Sequence, residues 1–235
     1  MLSLRLIVLV TLAGSALTDN SPRLPLKLAI GSHGTMTCSG SAVSDNTILS
    51  SGYCVMGRGN VEVLVRPEGI TLNDSGNIYF ANRIVFTPNE DPTTMSNDYV
   101  LLTVDRDLYG GEGFKAPDLA DDDMTVASGD ICTTARRSAS YSAYYYWPEF
   151  EYYNVKIIDD AQCEELFMEQ YTDDFICVGA IDPTAQFPDN QCQTETGAPL
   201  VCADKLFAIA TCELSCSGSV CAYRRISSLR DLIGQ

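Results

Sequence analysis

Histidine is the side chain that most often moves protons near neutral pH, and this chain of 235 residues has one. It is His33, in the Gly31-Ser32-His33-Gly34 turn, where a solvent-facing loop residue is the plain reading. The ten cysteines carry the other conspicuous chemistry. Their even number argues for five disulfides if the chain is extracellular. Their spacings are not the paired CxxC clusters of a structural zinc site, and one histidine cannot complete a mixed one. No metal and no cofactor are expected. The aspartate run Asp121 to Asp123 reads as a solvated loop rather than a cation site.

Two further patches stand out by residue type. Asn73-Asp74-Ser75 is an acceptor sequence for N-glycosylation within a turn signal. Tyr141 to Tyr153 (YSAYYYWPEFEYY) holds half of the twelve tyrosines and the single tryptophan. Aromatics supply large contact area at low entropic loss, so Tyr144, Tyr145, Tyr146 and Trp147 are candidate partner-binding residues. The alternative is that alternate aromatics of this stretch pack against the protein body, with Tyr153, Val155 and Ile157 foremost.

The elements that must hold these groups are short and extended. Leu24 to Ile30, Ala42 to Leu49, Val61 to Val65, Ile78 to Phe86 and Tyr99 to Val104 are rich in β-branched, aliphatic or aromatic residues. Turn signals such as Asn73 to Gly76 and Pro88-Asn89 separate them. Tyr152 to Ile158, Phe175 to Gly179, Pro199 to Cys202 and Leu206 to Thr211 repeat the style, which predicts an all-β barrel or sandwich. Tyr109 to Asp123 is rich in Gly, Pro and Asp and reads as a linker. Helical spacing of Ile226, Leu229, Leu232 and Ile233 predicts a short closing helix.

At the N-terminus a weakly basic start, an apolar run from Leu6 to Leu12 and small residues to Ala16 read as a signal peptide over residues 1–18. No other apolar stretch is long enough to span a membrane, so secretion to the extracellular space is expected. With 31 Asp+Glu against 15 Lys+Arg, a nucleic-acid surface is excluded, because phosphate binding needs clustered positive charge.

Several blocks, in order, resemble the trypsin-like serine proteases. Cys38 to Val43 (CSGSAV) followed by Thr47 to Cys54 (TILSSGYC) resembles the family's CGGSLI…WILTAAHC. Asn97 to Val104 (NDYVLLTV) resembles NDIALLKL, and Gln191 to Cys202 (QCQTETGAPLVC) resembles DSCQGDSGGPLVC. The resemblance implies two packed six-stranded antiparallel Greek-key barrels, over residues 19–108 and 124–235, joined by the linker 109–123. A short C-terminal helix completes the all-β architecture.

The same blocks depart from the family where its chemistry is done. That chemistry needs a serine nucleophile, an imidazole base and an aspartate that orients it. Tyr53 stands at the histidine position, Asp98 at the aspartate position and Thr196 at the serine position. A phenol of ordinary acidity titrates near pH 10 and does not cycle as base and acid at neutral pH. Thr194 replaces the glycine whose amide, with that of Thr196, would form the oxyanion hole. Glu195 replaces the aspartate that receives the amine of a newly cleaved N-terminus, and no Arg-Ile-Val-Gly-Gly junction is present. The specificity pocket is altered at its floor, Asn190, and on its walls, where Glu213 and Ser219 fall.

The resemblance further implies the disulfides Cys38–Cys54, Cys132–Cys202, Cys163–Cys177 and Cys192–Cys216. The two remaining cysteines, on neighbouring pocket strands, suggest a fifth bridge, Cys212–Cys221. The expected function is therefore a secreted, non-enzymatic homologue whose partner is another secreted protein, such as a protease, an inhibitor or a cascade component. A weak hydrolase using Thr196 and Asp98, or an abundant structural or storage protein, are the alternatives.

Overall fold

A computed structural model of the chain describes residues 27–32, 35–55, 62–64, 78–87, 99–108, 116–137, 150–181, 194–210, 217 and 219–234. Six strands of the first half close into an antiparallel barrel: β1 (Lys27–Ser32), β2 (Thr35–Ala42), β3 (Thr47–Ser51), β4 (Glu62–Leu64), β5 (Ile78–Phe86) and β6 (Tyr99–Val104). Their order around the barrel is β1-β2-β3-β6-β5-β4. Period-two alternation sorts β6 between two cores. In β6, Val100, Leu102 and Val104 fill the barrel, while Tyr99 and Leu101 turn outward and are buried all the same.

The second half forms another closed ring. β8 (Ile131–Arg137), β9 (Phe150–Ile157), β10 (Phe175–Gly179), β13 (Val220–Arg225), β12 (Lys205–Ala210) and β11 (Pro199–Cys202) pair antiparallel in that order, and β11 returns to β8. The two-residue turn Ala203-Asp204 between β11 and β12 has φ of 46° and 61°, the backbone that a tight hairpin requires. Two six-stranded antiparallel barrels with a short closing helix are thus the architecture.

Several details differ from the sequence-based reading. The expected strand Ala42 to Leu49 is broken, because residues 43–46 turn the chain from β2 into β3. Part of the expected linker is structured. β7 (Asp118–Leu119) adds to β12 in parallel, and Ala120 is buried beside it. Helix α1 (Asp160–Phe167) was not anticipated from so acidic a stretch. Asp159 caps it by accepting from the Ala161 amide at 3.0 Å, and Cys163 and Phe167 bury its inner face. The C-terminal segment is half 3-10 turn, Ile226–Leu229, and half α2 (Arg230–Ile233). Among the described residues, no helix is long and apolar enough to cross a membrane.

What joins the barrels is a shared apolar layer. Leu49, Tyr99 and Leu101 of the first barrel meet Leu206 and Ile209 of the second, and Ile226, Leu229 and Leu232 of the C-terminal segment close over both. Cys38–Cys54, Cys132–Cys202 and Cys163–Cys177 are bridged. Cys132–Cys202 closes the longest of these loops, at a separation of 70, and the chain-entropy argument assigns it about 4 kcal/mol. Because Leu229 belongs to the layer both barrels share, Leu229→Ala should lower stability by about 2–5 kcal/mol. Denaturant unfolding should show the loss in probes of both barrels alike, and a shift confined to the second barrel would contradict the shared layer.

Candidate functional site

The turn from Thr194 to Gly197 precedes β11 and lies where the two barrels touch. Gly197 has φ of +84°, and a Cβ on it would stand 2.0 Å from the Ser39 carbonyl oxygen of β2. Only glycine allows that approach. Backbone bonds then lock the turn on both sides. The Gly197 amide donates to the Ala210 carbonyl at 2.9 Å and the Ala198 amide to the Glu195 carbonyl at 2.9 Å. From the first barrel, the Ser39 amide donates to the Thr196 carbonyl at 3.0 Å.

Three fully buried hydroxyls of the first barrel complete this seam. Ser41 Oγ donates to the Gly197 carbonyl at 3.0 Å, and Ser50 Oγ to the Ser39 carbonyl at 2.6 Å. Ser39 Oγ donates to Glu195 Oε2 at 2.5 Å. Buried polar groups need such partners; the Ser41 and Ser39 hydroxyls find theirs on the second barrel and the Ser50 hydroxyl finds its own within the first.

On its opposite side the turn is fixed by a run of hydroxyls whose direction can be worked out. Thr134 Oγ1 gives its one proton to the Pro199 carbonyl at 2.7 Å. The Tyr223 hydroxyl, 2.8 Å away, must therefore donate to Thr134. Thr194 Oγ1 must in turn donate to Tyr223, at 3.0 Å, and the Tyr153 hydroxyl to Thr194, at 3.4 Å. The Thr194 hydroxyl also lies 3.7 Å from Cys221 Sγ. Tyr223 is fully buried, and burial is the main cause pushing its phenol well above the usual tyrosine range. Burial and the bond from its hydroxyl to Asp160 do the same to Tyr171 near α1.

Tyr53 sits on the 3-10 turn Gly52–Cys54 and is 51% exposed. It is anchored indirectly, since Cys54 is bridged to Cys38, the neighbour of Ser39. The structure thus sets Thr194, Glu195 and Thr196 in one seam, with Tyr53 next to the Cys54–Cys38 bridge that reaches its edge. Ser219 is exposed just before β13, whereas Cys221 is buried against Thr194 and is disulfide-bonded. Asp98, Asn190, Glu213, Cys192, Cys212, Cys216, Asn73, His33 and the stretch from Tyr144 to Trp147 lie outside the described residues. Among the described residues no group of three or more His, Cys, Asp or Glu could hold a metal ion.

Ser39, Thr134, Tyr153 and Tyr223 were not singled out as site residues from the sequence. A tyrosine at the end of an apolar run (Val220 to Ala222) was the available signal, because a hydroxyl buried there must find a partner inside.

The family model for trypsin matches residues 13–233. Among characterised relatives, trypsin II-P29 of Gallus gallus is 22% identical over 89% of this chain and 83% of its own length. The vitellin-degrading protease of Bombyx mori is 21% identical over 90% and 80%, and the anionic trypsin of Canis lupus familiaris 25% over 87% and 79%. Among solved structures, the kallikrein-related peptidase 10 complex with Zn2+ aligns with a TM-score of 0.68 at 21% identity, covering 90% of this chain and 94% of that one. The structure of GrC aligns at 0.72, also 21% identical, covering 91% and 95%.

The raised Tyr223 phenol sets a pH dependence. The unfolded chain ionises this tyrosine near pH 10 while the folded chain keeps it neutral, so its contribution is whole below about pH 10 and is lost above it. Unfolding free energy should therefore fall as pH rises beyond that point. Tyr223→Phe should lower stability at pH 7 by about 1–3 kcal/mol, through loss of the bond from Thr194 to its hydroxyl and of the bond from that hydroxyl to Thr134, and flatten the alkaline fall. Denaturant titrations at neutral and alkaline pH check both, and an unaltered alkaline slope in the variant would contradict the assignment.

Proposed function

The chain belongs to the trypsin family of serine proteases, and we propose that it is a secreted member that works without catalysis, by binding another secreted protein. One observation carries this reading. The chain's single histidine is His33, and the residue directly before Cys54, where the family holds its base, is Tyr53. Without an imidazole at that place, nothing there takes a proton from a hydroxyl and returns it to a leaving amine at neutral pH. Thr196, at the nucleophile position, brings an extra methyl into the path of attack. Glu195 turns toward Ser39 of the first barrel, and the basic residue before the first strand, Arg23, is followed by Leu24-Pro25 rather than the family's Ile-Val-Gly-Gly.

Secretion is supported by the apolar N-terminal run and by several disulfides, which form and persist mainly in oxidising compartments. A retained, bridged scaffold beside lost chemistry suits a regulatory or decoy module in an extracellular protease cascade. The aromatic stretch Tyr144 to Trp147 is the proposed contact region, resting on its composition.

Two measurements test the reading. Purified protein should cleave peptide-amide substrates no faster than buffer alone, since loss of a catalytic triad as a unit costs about 10⁶ in turnover. Measurable turnover that disappears in Thr196→Ala would establish the weak-hydrolase alternative instead. Joint alanine substitution of Tyr144, Tyr145, Tyr146 and Trp147 should abolish capture of the partner from the source's own secretion and leave Tm nearly unchanged. A collapse of Tm would assign these aromatics to packing.

A further inference from the structure

Two of this chain's departures from the family pattern touch each other. Position 39 is the first glycine of the CGGSLI block and is Ser here, and position 195 is aspartate in the family and Glu here. They are 156 residues apart in sequence and on different barrels, yet Ser39 Oγ donates to Glu195 Oε2 at 2.5 Å. Each change is needed for the contact. Glycine has no hydroxyl to give, and an aspartate is one methylene shorter than the carboxylate that reaches across.

We propose that Ser39 and Glu195 are a paired replacement, a clasp between the barrels that holds the 194–197 turn without any chain-terminal amine. A half-buried carboxylate at such a seam is held by donors that reach it. In the family pattern a newly cleaved N-terminus supplies one, and this sequence has no Arg-Ile-Val-Gly-Gly junction to release the family's amine. Here a hydroxyl that is itself 0% exposed supplies one from within the chain. The surroundings fix that hydroxyl in place. The Ser39 amide is on the Thr196 carbonyl, the Ser39 carbonyl accepts from Ser50 Oγ, and Gly197 packs directly on that carbonyl. The clasp therefore joins a backbone contact already made between the barrels and extends it to the side chain next to Thr196. On the opposite face the Thr194 hydroxyl is bonded to Tyr223.

The consequence concerns regulation of the proposed binding protein. The intact single chain already has its working conformation, and proteolytic processing before the first strand neither forms the turn nor strengthens it. This rests on the non-catalytic reading only for its biological meaning, because its test reads conformation and not activity.

The test is amide hydrogen exchange, followed by mass spectrometry, over peptides containing residues 194–198 of the full chain. Native protein should be protected there, and the protection should not change when a free hydrophobic dipeptide amine is added. Glu195→Asp keeps the charge and shortens the reach, and Ser39→Gly removes the hydroxyl. Each should speed exchange by about ten- to hundredfold, as expected for loss of one charge-assisted hydrogen bond. The double variant should be no faster than either single one, since both remove the same contact. Unchanged exchange in the single variants, multiplied effects in the double, or ordering by the dipeptide amine would each overturn the proposal. Should Ser39→Gly fail to fold, Glu195→Asp decides the matter by the same readout.

Discussion

The absence of a side chain at Gly197 is the constraint on which the structure turns. Ser39 and Gly197 approach so closely that a single added carbon would sit on a carbonyl oxygen. The approach brings β2 of one barrel against the turn that enters β11 of the other. Every polar contact of the seam, from the Ser39 amide to the Ser41 hydroxyl, requires that distance. Small residues in β2 and β3 make it possible. Ser39, Ser41 and Ser50 are compact enough to be wholly buried and polar enough to satisfy the backbone of the turn they meet.

Around this seam, apolar packing and covalent bridges keep the geometry from relaxing. The layer of Leu49, Leu101, Leu206, Ile209 and Leu229 presses the barrels together, and the C-terminal segment crosses from the second to the first. Arg224 serves the same junction from its edge, stacked over Tyr99 and Phe175 and paired with Asp174 at 3.0 Å. Its aliphatic stem and planar head suit a position between aromatic faces and a carboxylate. At the surface, Lys205–Asp121 and Arg230–Asp122 tie the segment around β7 to β12 and α2. Exposed pairs of this kind hold position more than they add stability. The result is a braced frame around the 194–197 turn.

Much of this was legible in the residues. The apolar runs Tyr99 to Val104 and Leu206 to Thr211 read directly as strands, buried nearly throughout their described residues, and the helical spacing of Ile226, Leu229 and Leu232 as a closing helix. Thr194, Glu195 and Thr196 stand out because a conspicuous block surrounds them, and the fold sets them where the barrels touch. What the sequence hid were elements whose stability is tertiary. Helix α1 has only two buried residues amid an acidic stretch, and its disulfide to β10 does what periodicity does not. β7 is two residues long and exists because β12 offers it an edge. The hydroxyl run through Thr134, Tyr223 and Thr194 joins residues from three separated segments, so no local pattern announces it. Ser39 and Glu195 likewise look like minor changes until the fold sets them in contact.

The central claim is that a trypsin-family scaffold here carries no working nucleophile. Labelling of the purified full chain with a fluorophosphonate probe, read by intact mass and peptide mapping, tests it most directly. The account predicts no adduct under conditions that fully label an active family member. A stoichiometric adduct on Thr196 would contradict it.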